Sequence, residues 1–329
     1  MATRGELLSA ICNLVSDYRV GEIPTIDSAH VDRWVGQFSD EVQLPMLWEL
    51  QHLLSRSYLS QRSFDNFLNS LVIPSPFAGQ DPTNFWRETG ILNIQTRGTS
   101  QKEMLARFDP ILQRACGISI AECASAQGRY LYLDDALFSG FHAIKDLSAW
   151  LQIAPATSRV IVLSLAIHSG SISWIRRQVT AAARILGKNV TIEFYRAFEL
   201  ENQPGNRDRS DVFWPARLPN DPLVAAYVQE LVNAGYAPIL RIPSASGQHR
   251  FFSSESARDM LEQDFLKAGA RIRSICPNLH DYQRPLGNHV LNTLGFGSLV
   301  VTYRNCPNNN PLALWVADPW YPLYPRRTN

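Results

Sequence analysis

The sequence predicts an α/β protein: a mostly parallel sheet with helices on both faces, preceded by a helical N-terminal subdomain. Three observations predict it. From residue 91 onward, short apolar runs rich in β-branched residues alternate with helix-spaced stretches. The runs are continuously apolar rather than alternating in polarity, as strands buried on both faces are. The first 75 residues carry apolar positions at helical spacing only.

The helical part comes first. Val31, Trp34, Val35 and Phe38 fall on one helical face, and Leu47, Leu50, Leu53 and Leu54 repeat the pattern. Ser63-Phe64-Asp65-Asn66-Phe67-Leu68 opens a third amphipathic piece. The Pro/Gly break from Ile73 to Gly79 follows, and divides the chain into a helical subdomain, residues 1–75, and an α/β domain, residues 76–329.

Beyond the break, Ile91–Gln95 reads as a strand, Gln101–Ala115 as a helix, Tyr130–Leu133 as a strand and His142–Leu151 as a helix. Val160–Ile167 is a strand; Ile172, Ile175, Val179, Ala182 and Leu186 then mark a helix ending at Gly187. Val190–Tyr195 is a strand, Leu223–Ala234 a helix and Ile239–Ile242 a strand. Ala257, Leu261, Phe265 and Ala268 mark a helix stopped by Gly269, and Ile272–Ile275 and Leu299–Tyr303 complete the strands. Glu199–Asn220 is polar and rich in breakers, the pattern of a lid, a partner surface or a mobile insertion.

With 45% of its 329 residues hydrophobic, the chain has ample material for a large core. Its 31 Lys and Arg against 30 Asp and Glu leave a net charge of +1, so no global field favours nucleic acid or an acidic membrane. Cys12, Cys116, Cys123, Cys276 and Cys306 are scattered and form no CxxC pair. That pattern suits neither a disulfide framework nor a structural zinc site, and fits a reducing compartment. No apolar run approaches the ~18 residues of a membrane span, and the N-terminus makes a poor signal peptide. A soluble cytoplasmic protein is expected. His142, His168, His249, His280 and His289 show no metal-ligand spacing.

In open parallel sheets ligands bind beyond the carboxyl ends of the strands, so motifs just after strands matter most. In Tyr130-Leu131-Tyr132-Leu133-Asp134-Asp135-Ala136-Leu137-Phe138-Ser139-Gly140-Phe141-His142 an apolar strand runs into two acids, then a hydroxyl residue, a glycine and a helix. Amides at a helix N-terminus cradle a phosphate. Ser139 adds a hydroxyl, Gly140 permits close approach, and Asp134 and Asp135 can hold ribose hydroxyls or a hydrated Mg²⁺. The plain alternative is an acidic turn in which Asp135 or Ser139 caps the helix. This spacing places Asp134 at the carboxyl end of a central parallel strand.

A second strand-to-helix turn is Gln95-Thr96-Arg97-Gly98-Thr99-Ser100-Gln101-Lys102-Glu103. Arg97, Gly98, Ser100 and the first-turn amides suit a pyrophosphate, while Ser100 and Glu103 have capping-box spacing. Both turns are expected to face one cleft. A third stretch, Tyr303 to Trp315, is either a structural Asn/Pro loop or a grip on a base. In the second case Arg304, Asn305, Asn308 and Asn309 would supply hydrogen bonds and Trp315 a stacking surface. Cys306 lies beside Arg304, which can lower a thiol pKa. The tail Pro325-Arg326-Arg327 reads as solvated terminus.

The Asp134–His142 segment resembles the PRPP-binding motif of type I phosphoribosyltransferases: an apolar strand, an acidic pair, three residues, then Thr-Gly-x-Thr. Asp134 and Asp135 match the acidic pair and Ser139-Gly140 the Thr-Gly; His142 replaces the second Thr, and Phe138 and Phe141 are bulkier than usual. The wider chain resembles the phosphoribosyltransferase-like effectors of bacterial conflict and anti-phage systems, some of them retron-associated. Trp34-Val35-Gly36-Gln37-Phe38, Gln95–Gln101, the Asp-Asp motif and Arg304–Trp315 carry that resemblance. It implies a type I phosphoribosyltransferase fold and an effector that binds PRPP or a nucleotide, with Mg²⁺, and acts at ribose C1. Asp134 and Asp135 are then the catalytic pair; Ser139, Gly140 and His142 join them around ribose and phosphate. The rival is a catalytically silent nucleotide sensor, or an assembly subunit docking a reverse transcriptase–nucleic acid complex. The His142 change favours the rival, and the intact acidic pair favours an enzyme.

Overall fold

The computed structural model describes residues 2–125, 127–244, 249–288, 293–295 and 297–327; His289 lies outside them. In chain order the elements are α1 (Arg4–Leu14), α2 (Ser28–Val35), α3 (Asp40–Ser57), β1 (Tyr58–Leu59), α4 (Gln61–Ser70), α5 (Pro82–Arg87), β2 (Gly90–Leu92) and α6 (Ser100–Cys116). Then come β3 (Arg129–Leu137), α7 (Phe141–Trp150), β4 (Thr157–His168), α8 (Ser169–Ile185), β5 (Asn189–Leu200) and α9 (Pro222–Asn233). Last are α10 (Glu255–Ile275), β6 (Gln283–Arg284), β7 (Gly287–Asn288), β8 (Val301–Thr302) and α11 (Leu312–Trp315). Among the described residues no helix is long and apolar enough to cross a membrane.

The chain divides into two compact units: residues 62–200, and residues 1–61 with 201–328. This differs from the division at residue 75 read from the sequence. Val31, Trp34, Val35 and Phe38 do form one buried helical stripe, but a stripe needs a partner to cover it. Part of that cover comes from late in the chain: Phe265 lies 6.2 Å from the Trp34 ring, and Trp320 lies 5.7 Å from the Phe38 ring.

The unit of residues 62–200 holds the four-stranded sheet, ordered β2-β3-β4-β5 and parallel throughout. One face is the even-numbered set Tyr132, Val160, Val162, Val190 and Ile192, buried with Ala143, Leu147 and Trp150 of α7 and Ile175, Val179 and Ala183 of α8. Strand residues of opposite parity point the other way. There Tyr195 meets the Phe77 ring at 4.5 Å, and Trp86 meets Phe108 of α6 at 4.8 Å. Helices therefore flank the sheet on both faces, as the uninterrupted apolar strands require.

In the other unit α10 packs against α3, α9 and α11, and β1 pairs with β8 in parallel, Tyr58 opposite Val301. Two strands read from the sequence are not strands. Ile272–Ile275 is the last turn of α10, which runs straight through Gly269. A Cβ at Gly269 would lie 2.6 Å from the Pro285 Cα, so this glycine marks a close backbone approach and not a helix end. Ile239–Ile242 is irregular, and its Arg241 points inward onto Glu255 and Glu262. The polar Glu199–Asn220 stretch is not uniformly a surface loop, since Val212, Phe213 and Trp214 within it are buried.

Candidate functional site

Strand β3 is an interior strand of the sheet, and it extends through both acids to Leu137 rather than stopping at Leu133. Its ladder with β2 ends at Tyr132, while that with β4 continues, placing Asp134 opposite Ser164. Asp134 thus sits toward the carboxyl end of a central parallel strand and is buried; Asp135 is half-buried. Asp134 Oδ1 accepts the Asp135 N–H at 2.9 Å, and Asp135 Oδ1 accepts the Ala136 N–H at 2.7 Å.

The strand leads through Phe138 and Ser139 to Gly140, the N-cap of α7. Ser139 Oγ accepts the Phe141 N–H at 3.3 Å, which satisfies one first-turn amide locally. Gly140 has φ +70°, and a Cβ there would lie 2.6 Å from Ile175 Cγ1 of α8. Its lack of a side chain is therefore demanded by the α7–α8 contact as well as by its backbone. Alanine at this position is expected to lower unfolding free energy by ~2–4 kcal/mol, from left-handed strain plus overpacking. Urea midpoints test this: Ile175→Ala in the Gly140→Ala background should recover part of the loss. A Gly140→Ala protein as stable as wild type would show that the contact is loose.

Around this turn Phe141 and His142 are exposed, and the Phe138 ring lies 5.0 Å from that of His168 at the end of β4. His168 is fully buried, and burial alone pushes its pKa down to about 3, so it stays neutral near pH 7. The Ser171 hydroxyl of α8 donates to the Phe138 carbonyl.

The turn after β2 leaves the same end of the sheet, because β2 and β3 are adjacent and parallel. A reciprocal pair of glutamines ties its base. Gln101 Oε1 accepts the Ile94 and Gln95 N–H groups at 2.7 and 2.9 Å, and Gln95 Oε1 accepts the Gln101 N–H at 3.0 Å. Gln95 Nε2 donates to Ser100 Oγ, and Gln101 Nε2 reaches the Leu133 carbonyl at 3.4 Å, one residue before Asp134. Arg97, Gly98 and Thr99 are exposed, with Gly98 at φ +83°. The cap of α6 is Thr99 rather than Ser100, because the helix starts one residue earlier than the capping-box spacing requires; Thr99 donates its hydroxyl to Glu103.

Asp146 and Gln101 were not among the residues singled out from sequence. Asp146 of α7 accepts from the Thr96 N–H at 3.1 Å, the Thr96 hydroxyl at 2.9 Å and the Tyr132 hydroxyl at 3.2 Å. Burial, with Asp134 and Asp146 nearby, pushes the Tyr132 phenol above its ordinary pKa, so it donates as a neutral hydroxyl. A readable signal existed: Asp146 interrupts the apolar stripe of Ala143, Leu147 and Trp150.

Arg304, Asn305, Asn308, Asn309 and Trp315 belong to the other unit. Asn305 Oδ1 accepts the Cys306 and Arg327 N–H groups, and Asn308 Oδ1 accepts from Asn288 at 3.4 Å. Trp315 donates to the Asn310 carbonyl at 3.0 Å and carries the Arg326 guanidinium 4.7 Å over its ring. The tail is thus tied down rather than solvated: Arg326 stacks, and Arg327 pairs with Glu22. Cys306 is buried, and burial pushes its thiol up to about 12 instead of activating it. The Trp34–Phe38 motif meets this region directly. Trp34 Nε1 donates to the Ala313 carbonyl at 2.8 Å, while Gln37 donates to the Tyr321 carbonyl and accepts the Tyr321 N–H.

Neither a curated protein nor a solved structure matches the chain. The model of the PRTase-CE family does, over residues 31–326. That span takes in Trp34–Phe38, both strand-to-helix turns and Arg304–Trp315, so the match and the parallel sheet agree: the chain belongs to the phosphoribosyltransferase-like family PRTase-CE.

Proposed function

We propose that the chain binds PRPP or a nucleotide at the carboxyl ends of β2 and β3 and acts at ribose C1, as an effector in bacterial anti-phage defence. The observation that carries this reading is the pair of strand-to-helix turns at one end of a parallel sheet. A ligand with a phosphate on one arm and a pyrophosphate on the other needs two such turns. Asp134 and Asp135 hold the ribose hydroxyls. Ser139, Gly140, His142 and the first-turn amides of α7 receive the 5′-phosphate, and Arg97, Gly98 and Ser100 receive the pyrophosphate.

In the reaction the acceptor forms a bond to C1 as the bond from C1 to the pyrophosphate oxygen breaks, its electron pair leaving with pyrophosphate. Arg97 is exposed and in no ion pair among the described residues, so its guanidinium can meet the developing charge. Two adjacent carboxylates fit a hydrated Mg²⁺ carried in with the ligand's phosphates, which would supply further charge neutralisation there. Among the described residues no group of three or more His, Cys, Asp or Glu is placed to hold an ion directly. In the other unit, as a site of its own, Arg304, Asn305, Asn308, Asn309 and Trp315 are proposed for a base; of these, Trp315 already carries Arg326 on its ring.

A second reading is favoured by the β3–α7 turn itself. Ser139 is engaged with the Phe141 N–H, Gly140 is explained by Ile175, and exposed Phe141 and His142 replace smaller residues. These features suit a silent nucleotide sensor, or a subunit that docks a reverse transcriptase–nucleic acid complex. Calorimetric titration of the full chain with PRPP and Mg²⁺ is expected to show saturable binding at one site. Bound PRPP recovered intact with every acceptor tried would favour the sensor; release of pyrophosphate would establish the enzyme. Failure to bind PRPP or any nucleotide overturns the enzyme and the sensor and leaves the docking subunit.

A further inference from the structure

We infer that Asp146 is a positioning residue for the turn after β2, fixing the backbone of Thr96-Arg97-Gly98 in the shape that receives a pyrophosphate. The inference rests on the reading of that turn proposed above. Asp146 lies in the second turn of α7 and is 2% exposed. Its Oδ1 takes the Thr96 N–H and hydroxyl, and its Oδ2 takes the Tyr132 hydroxyl. All three donors are neutral, and no cation pairs with it among the described residues.

A buried carboxylate without a cation is a poor choice for stability alone. The same helix face carries Ala143, Leu147 and Trp150, so an apolar residue would pack there. The carboxylate achieves something that an apolar side chain cannot: it holds an amide and a hydroxyl of a loop fifty residues earlier in the chain. The second fastening is the Gln95–Gln101 pair at the base of the loop. Both fastenings engage residues flanking the tip, so Arg97, Gly98 and Thr99 stay exposed on a backbone that is already set. Preorganisation of this kind raises affinity by removing the ordering that binding would otherwise require. It acts on the pyrophosphate arm of the ligand and not on the ribose phosphate arm.

The test compares two probes, PRPP with Mg²⁺ and ribose 5-phosphate, titrated into the full chain by calorimetry. Asp146→Ala is expected to weaken PRPP by about tenfold or more while leaving ribose 5-phosphate within about twofold. Asp146→Asn keeps the Oδ1 acceptor for Thr96 and should stay within about threefold of wild type for both probes. Thr96→Val, on an exposed residue, removes the hydroxyl alone and should weaken PRPP selectively by a few fold; it decides the matter if Asp146→Ala fails to fold. Equal loss of both probes in the folded variants, or loss of neither, overturns the role of Asp146 and leaves the site standing. A wild-type chain that binds neither probe overturns the site as well.

Discussion

Converting Asp134 and Asp135 together to asparagine is expected to abolish binding of PRPP with Mg²⁺, and with it biological activity, while the melting temperature stays within a few degrees of wild type. The fold is spared for a local reason. Each aspartate offers Oδ1 to the next backbone N–H, and an asparagine carbonyl accepts the same bond. Ligand binding has no such substitute. Each charge-assisted contact to a ribose hydroxyl or hydrated cation contributes ~1.5–3 kcal/mol, so two together amount to at least ~100-fold in affinity. The measurements are paired: thermal unfolding and PRPP titration of both proteins, with phage-protection or growth-arrest assays alongside. A well-folded double variant with full binding and activity removes catalysis from this motif. One that unfolds assigns the pair a structural role and sinks the prediction.

Glu262→Gln is expected to destabilise the other unit by ~3–5 kcal/mol, the usual result of removing one member of a buried ion network. Glu262 is fully buried, accepting from Arg258 Nε at 2.8 Å, from Arg241 at 3.1 Å and from the Trp214 N–H at 3.0 Å. Arg241 retains Glu255, but Arg258 loses its carboxylate partner and keeps neutral acceptors, among them Ser210, Val212 and His249. Burial already pulls the Arg258 pKa below its ordinary value, so an uncompensated guanidinium there is unfavourable. At roughly 2–4 °C per kcal/mol for a unit of this size, the melting transition should fall by about 10 °C. Replacing Arg241, Arg258 and Glu262 together by apolar residues of similar volume should restore most of that loss. A Glu262→Gln protein that melts with wild type would show that water or rearrangement compensates Arg258.

These two sites were legible in the sequence to different degrees. Strand β3 and its acidic pair stood out because an apolar run ending in charge is a local pattern, and local patterns survive folding. Strand β4 and helices α7 and α8 were found within a few residues for the same reason. Two successive charges resemble a strand end, so the sequence pattern stops at Leu133, although the ladder with β4 carries Asp134 inside. Ile272–Ile275 reads as a strand because β-branched residues suit a strand as well as the last turn of a helix, and Gly269 reads as a stop although it answers to the close approach of Pro285. Asp146 is hidden in the sequence because its partner Thr96 lies fifty residues away, and its one local trace is a charge on an apolar helical face. Glu262 leaves a second trace, Arg258 four residues before it, but such pairs usually lie on a solvated face, and the partners that bury it, Arg241 and Trp214, lie far away in sequence.

The split composition of the larger unit sets an order of events during synthesis. Residues 62–200 form a continuous stretch, so the sheet can close on the ribosome as soon as β5 has emerged. The helices made before it cannot finish. Trp34 and Phe38 wait for Phe265 and Trp320, and β1 waits for β8, all of them translated after the sheet. A nascent chain halted between residues 200 and 265 would carry a finished sheet beside an uncovered stripe of large apolar side chains, the state that chaperones bind and proteases remove.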